Sequence, residues 1–267
     1  MNKTVIFNHI PKTAGTTLRI ILNRVYDQER VFFIDSREIK KSLDQFMGLP
    51  QKAKENFRVI AGHGADLFSG LVSNPFRVTV LREPVEQFVS QYYYLRKSKN
   101  SIYQKEVSGF RSIEQYIDFA LRTGQDNLMT RYLSGTIDFL VDRTKQVPVM
   151  ASSGKRLLEK AKEGLRQYDA VLSVPRFDKG VYRLKELLEW KKIPVYRAVN
   201  INKSKYYKEL SPVLFERLKT LLAFDLELWD YFLEEELDCA LGIHASAFSY
   251  KVFRSRQKFI NKYLPTS

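Results

Sequence analysis

The stretch Phe7-Asn8-His9-Ile10-Pro11-Lys12-Thr13-Ala14-Gly15-Thr16-Thr17-Leu18 constrains this chain more than any other. An apolar run with β-branched residues, Thr4 to Phe7, stops before Pro11, and Lys12 and Gly15 then lead into the helix-like Thr16–Leu22. The pattern is strand, tight loop, helix. At such a helix start the first backbone N–H groups have no intrahelical partner, and the helix dipole favours negative charge above them. Lys12 adds a full positive charge, and the hydroxyls of Thr13, Thr16 and Thr17 add donors. The loop suits a phosphate-like anion.

The nucleotide-binding P-loop places its Lys after the last Gly, whereas here Lys12 stands three residues before Gly15, so that pattern fails. The segment His9 to Thr17 instead resembles the 5′-phosphosulfate loop of sulfotransferases that use 3′-phosphoadenosine 5′-phosphosulfate (PAPS). Within that superfamily it is most similar to the carbohydrate branch of heparan sulfate 2-O- and 6-O-sulfotransferases and their bacterial relatives. A second stretch agrees. The strand Phe76–Leu81 runs straight into Arg82-Glu83-Pro84, Pro84 suits the first turn of a helix, and Ser90 lies about two turns along it. This resembles the family's 3′-phosphate motif, an Arg at a strand end and a Ser on the following helix. The resemblance therefore implies that Lys12, Thr13, Ala14, Gly15, Thr16, Thr17, Arg82 and Ser90 bind the cofactor.

His63 closes another strand, Arg58–Gly62, and is flanked by Gly62 and Gly64. Open α/β sheets deliver functional groups at the C-terminal ends of their strands, which places His63 on the same edge as Lys12. A histidine in this position is the proposed base in the heparan sulfate enzymes. The segment Asp126–Gly135 resembles one common in the bacterial relatives, which makes Arg131 a candidate for holding an anionic part of the acceptor. His9, at the junction of strand and loop, reads as structural or as a support behind the site, and His244 lies outside the resemblance.

The remaining elements follow from periodicity and breakers. Val31–Ile34 reads as a short buried strand, 36–56 as helical with a break at Gly48-Leu49-Pro50, and 96–110 as an exposed polar loop. A helix runs from Ser112 to Gly124, 136–150 is loop, and Ser152–Gln167 is an amphipathic helix. Tyr168–Val174 is a buried strand, followed by a helix to Lys192, a short edge strand at Pro194–Tyr196 and two helices from Ser211 to Phe232. In relatives, Asn200–Ser204 falls in a loop over the adenosine. The fold class is α/β, a P-loop-like three-layer arrangement with a central, mainly parallel sheet flanked by helices. The resemblance runs from about residue 4 to 233, and one domain over 1–241 is expected, with 242–267 a basic extension.

Lys and Arg total 44 against 30 Asp and Glu, a net charge of +14 that calls for anionic partners without choosing among them. The single cysteine, Cys239, excludes an internal disulfide framework. Residue 1 stands almost directly on the first strand and no long apolar run follows, so a cytoplasmic enzyme is expected. Lys251–Lys262 carries five basic residues and no acid, suited either to peripheral contact with an anionic membrane or to a solvated terminal helix packed on the domain.

Together these residues point to in-line transfer of a sulfuryl group to a hydroxyl, with His63 and Lys12 catalytic and with no metal, and the resemblance implies that the hydroxyl belongs to a carbohydrate. The strand before Arg82 offers no acidic residue to organise Mg²⁺, as a kinase would need. The alternatives are a small alcohol or lipid acceptor, or a non-catalytic nucleotide or nucleic-acid binding module. No nucleic-acid motif is present to favour the last.

Overall fold

The computed structural model describes residues 3–98, 103–135, 151–194, 196–197, 210–242 and 248–263. The expectations for 136–150, for Val195 in the edge strand, for Asn200–Ser204 and for His244 lie outside them. Five strands carry the fold: β1 (Thr4–Asn8), β2 (Val31–Phe33), β3 (Val59–Gly62), β4 (Pro75–Leu81) and β5 (Ala170–Ser173). The helices are α1 (Gly15–Val25), α2 (Ile39–Met47), α3 (Gln51–Lys54), α4 (Pro84–Lys97), α5 (Gln104–Val107), α6 (Ile113–Thr123), α7 (Leu128–Leu133) and α8 (Ala151–Arg166). They continue with α9 (Phe177–Leu187), α10 (Pro212–Leu221), α11 (Ala223–Glu234) and α12 (Phe248–Tyr263). Among the described residues no helix is long and apolar enough to cross a membrane.

The strands form one sheet in the order β2-β3-β1-β4-β5, every pairing parallel. Helices cover both faces, which is why β1, β3 and β5 are buried throughout and read as unbroken apolar runs. On one face Val5, Phe7, Val78, Val80 and Leu172 meet Leu18, Ile21 and Leu22 of α1 and Val181 and Leu184 of α9. On the other, a 3-10 segment, Ala65–Leu71, packs on β1, β3 and β4, and Phe68 joins an aromatic cluster with Phe32, Phe46 and Phe57. The chain order reverses at β1, whose neighbours are β3 and β4, and this is where open α/β sheets form a crevice at their C-terminal edge.

The chain forms two compact units. The first comprises Met1–Leu81, Gln167–Asn200 and Glu236–Ser267 and holds the sheet; the second comprises Arg82–Arg166 and Ile201–Glu235 and is helical. The core of the second unites Phe88 and Tyr92 of α4, Tyr116 and Phe119 of α6, and Leu214 and Leu218 of α10. The expected break at Gly48–Pro50 separates α2 from α3, and Gly124 ends α6 at φ 65°. Three expectations differ from what is observed, the first being the edge strand at Pro194–Tyr196, whose described residues Pro194 and Tyr196 lie in no strand. β2 is an edge strand with Phe33 40% exposed, not a buried one, and the expected loop at 96–110 contains the end of α4 and the turn α5.

Candidate active site

The loop from Ile10 to Gly15 leaves β1 at the centre of the sheet and opens α1. Lys12 and Ala14 stand at φ 64° and 65°, both left-handed, with Thr13 between them outside that region. Alternating handedness turns successive backbone N–H groups toward one concave side, a nest for an anion. Two non-glycine residues at positive φ within three positions make this a strained turn. Ala14 is the N-cap of α1 and brings no side-chain hydrogen bond, so the helix start keeps its positive end for another partner. The Thr13 hydroxyl donates to the carbonyl of Ile10 at 2.9 Å and the residue is fully buried, so its side chain braces the loop from within. Thr16 is half-buried and Thr17 buried at the first turn of α1.

His63 follows β3 on a turn between Gly62 and Gly64, which stand at φ 152° and 74°, backbone that a side-chain-bearing residue would hold only with strain. Because Asn8 of β1 is in register with Gly62 of β3, the two strand ends bring the residues after them together. The amide of His9 donates to the carbonyl of Gly62 at 3.0 Å, and Nδ1 of His63 donates to the carbonyl of His9 at 2.5 Å. The His9 and His63 rings stack at 4.7 Å with 18° between their planes. Burial, and then the positive charge of His63, Arg19 and Lys12, push the pKa of His9 well below its ordinary value, so His9 is a neutral ring near pH 7.

Beneath this loop lies a polar cluster made from four distant parts of the chain. Asp66 accepts hydrogen bonds from Asn8 Nδ2 at 2.7 Å and from Tyr168 Oη, and pairs with Arg77 at 3.2 Å. Arg77 also reaches Gln167 and lies over the Tyr168 ring. Burial raises the Asp66 carboxyl, opposed by Arg77 and by the hydrogen bonds from Tyr168 and Asn8. The cluster ties the last residue of β1 to the segment three residues past His63.

In the helical unit, Arg82 directly follows the last residue of β4, is half-buried, and pairs with Glu86 at 3.3 Å. Glu83 caps α4, its carboxylate accepting the amides of Val85 at 3.2 Å and Glu86 at 2.7 Å, with Pro84 in the first turn. Burial raises the Glu83 pKa against those two hydrogen bonds. Ser90 is buried on α4. Arg131 is 6% exposed, and its guanidinium donates to the Asp126 carboxylate at 2.6 Å and to the Asp126 carbonyl at 2.8 Å.

A model of the sulfotransferase family, Sulfotransfer_2, matches residues 2–232, nearly the whole chain. The chain belongs to the sulfotransferase family. This sulfotransferase is 30% identical over 110 residues to heparan sulfate 2-O-sulfotransferase hst-2 of Caenorhabditis elegans, a match covering 37% of this chain and 34% of that protein. The matched part is thus about a third of the length of that relative. In structure, this sulfotransferase resembles mouse sulfotransferase SULT7A1, solved in complex with PAP, with a TM-score of 0.36 and 10% identity over 96% of this chain and 89% of that one.

The loop from Ile10 to Gly15, with Lys12, and His63 both follow the C-terminal ends of adjacent parallel strands. The Asp66 cluster was not anticipated. Asn8, a polar residue closing an otherwise apolar strand, was the one sign of it. The close approach of His9 to Gly15, where an added Cβ would lie 1.9 Å from the His9 ring, had no sign in the sequence.

Proposed function

We propose that this sulfotransferase moves a sulfuryl group from PAPS to a hydroxyl of a carbohydrate, with His63 as the base. The observation that carries the proposal is the hydrogen bond from His63 Nδ1 to a main-chain carbonyl, 2.5 Å long, beside the anion-binding loop of Lys12 to Gly15. A carbonyl only accepts, so the proton of the neutral ring is on Nδ1 and the lone pair is on Nε2. Nε2 then takes the acceptor's proton as its oxygen forms the new bond to sulfur. The bond from sulfur to the 5′-phosphate oxygen breaks, and Lys12 with the loop amides stabilises the charge left on that oxygen. Contacts of this kind are worth roughly 3–4 kcal/mol in the transition state.

Arg82 and Ser90 are assigned to the 3′-phosphate, with Glu86 orienting the Arg82 guanidinium. Arg131, already paired with Asp126, is given the task of ordering the 126–135 segment rather than direct contact with the acceptor. The carbohydrate class is supported by the partial likeness to hst-2, whose name specifies heparan sulfate.

Calorimetric titration tests the donor site. Adenosine 3′,5′-bisphosphate is expected to bind tightly and AMP weakly, and Arg82→Ala is expected to erase the difference. Equal binding of both nucleotides to the wild type would overturn the donor assignment. With that site established, labelled PAPS and a panel of sulfated and unsulfated polysaccharides identify the acceptor, and labelling of small alcohols alone would refute the carbohydrate class.

A further inference from the structure

We propose that His9 is the positioning residue for His63, fixing both the plane of its ring and the tautomer that leaves Nε2 unprotonated; this rests on the base role given to His63 above. His9 meets the His63 turn three times. Its amide holds the carbonyl of Gly62 at 3.0 Å, its carbonyl takes the Nδ1 proton at 2.5 Å, and its ring stacks on the His63 ring at 4.7 Å. The two main-chain contacts are open to any residue except that proline lacks the amide. The stack is the part that needs this side chain.

The His9 ring is itself fixed from two further sides. It stacks on Phe7 at 5.7 Å and 19°, and Phe7 is 1% exposed within the sheet core. Phe7, His9 and His63 therefore form a ladder of three nearly parallel rings running from the core to the site. Gly15, the first residue of α1, closes on the same ring so tightly that an added Cβ would overlap its Cδ2. A side chain held in this way has one orientation, and it passes that orientation to the ring stacked on it.

Charge completes the argument. The groups facing His9 are His63, Arg19 and Lys12, all cations or able to become one, and together with burial they keep His9 neutral. Two imidazoles in face-to-face contact do not both accept a proton, since like charges so close oppose each other. The proton that arrives from an acceptor hydroxyl thus resides on His63, over a neutral aromatic face that tolerates it. What the site needs from residue 9 is a flat, uncharged ring, so phenylalanine should replace histidine and alanine should not.

The chain has 3 histidines, so ring nitrogen–proton correlation spectra of the whole protein resolve each one. The wild type and His9→Phe are expected to hold His63 in the Nδ1–H form. His9→Ala is expected to release a substantial share of His63 into the Nε2–H form while the affinity for adenosine 3′,5′-bisphosphate stays unchanged. His63 found as Nε2–H in the wild type, or unchanged in His9→Ala, overturns the proposal. So does failure of His9→Phe to keep the wild-type tautomer, or a collapse of nucleotide affinity in His9→Ala, which would assign the ring to the loop instead. If His9→Ala does not fold, His9→Leu keeps the bulk without the flat ring and is read in the same way. The base role itself fails by a different measurement, undiminished turnover in His63→Ala, so the two readings fall separately.

Discussion

His63 and Gly15 make opposite demands on a side chain. His63 has to be present for its lone pair and need not touch the nucleotide. His63→Ala is therefore expected to lower turnover by ~10²–10⁴-fold, the usual worth of a positioned base, with the affinity for adenosine 3′,5′-bisphosphate unaltered. A parallel loss of affinity would mean that His63 binds rather than reacts. Gly15 has to lack a side chain, because a Cβ would meet His9 at 1.9 Å. Gly15→Ala is expected to cost about 1–3 kcal/mol in urea unfolding, as overpacking does, and to weaken nucleotide binding by shifting the loop. That Lys12 and Gly15 lie between strand and helix, and His63 just past a strand end, was legible because strand, loop and helix are local patterns. The partners of Asp66 were not, since Asn8, Arg77 and Tyr168 reach it across 58, 11 and 102 residues, and no local pattern marks a contact over such spans. The burial of Arg131 escaped for the same reason, because what encloses it is tertiary.

At the level of elements, strands with both faces covered announced themselves as apolar runs, and helix ends by Gly124, Pro84 and Ser211, whose hydroxyl accepts the Leu214 amide at 3.2 Å. The exposure of β2 could not be read, because Val31-Phe32-Phe33 is as apolar as a central strand and only the sheet order puts it at the edge. The junction of α7 and α11 was equally silent. There Asp225 accepts the amides of Met129 and Thr130 at the start of α7, at 3.1 and 2.7 Å, while Asn127 accepts those of Phe224 and Asp225. Full burial pushes the Asp225 carboxyl up to about 6 from 3.8, against the hydrogen bonds to Thr130 and Met129, which lower it. Between those values the folded protein keeps a proton that the unfolded chain has released, so this group makes stability fall as pH rises through the window. The cost, complete above about pH 6, is on the order of 3 kcal/mol. Asp225→Asn cannot titrate. The stability difference between the wild type and Asp225→Asn, followed by urea unfolding from pH 4 to pH 7, is expected to shift steadily against the wild type; a constant difference would remove the carboxyl from the account.

For the molecule as a whole, the family match ends at residue 232, yet the sheet-bearing unit takes up the chain again at Glu236. Asp238 bridges in parallel to Val171 of β5, accepts the Ser173 hydroxyl at 2.5 Å and the Ala240 amide at 2.9 Å, and is 2% exposed. On α12, Tyr250 is 2% exposed within the core cluster and meets Tyr182 of α9 edge-on at 5.4 Å, and Gln257 donates to the Tyr196 carbonyl at 2.6 Å. Lys251, Arg254, Arg256 and Lys258 are all exposed. On this helix Tyr250 is thus spent on packing, whereas Val252 is 52% exposed and these four cations face solvent. The two faces should respond differently to substitution. Tyr250→Ala removes a buried aromatic ring and is expected to cost about 3–5 kcal/mol. Replacing Lys251, Arg254 and Lys258 together by Gln is expected to change stability by no more than about 0.5 kcal/mol per site. A chain cut after Glu235 loses the bridge at Asp238 and the Tyr250 contact at once, and its sheet-bearing unit should unfold at lower urea with a less cooperative transition. Should the shortened chain instead match the full one in urea midpoint and in affinity for adenosine 3′,5′-bisphosphate, the last 32 residues would be an appendage, and the core of the sheet would have to be complete with the residues the family shares.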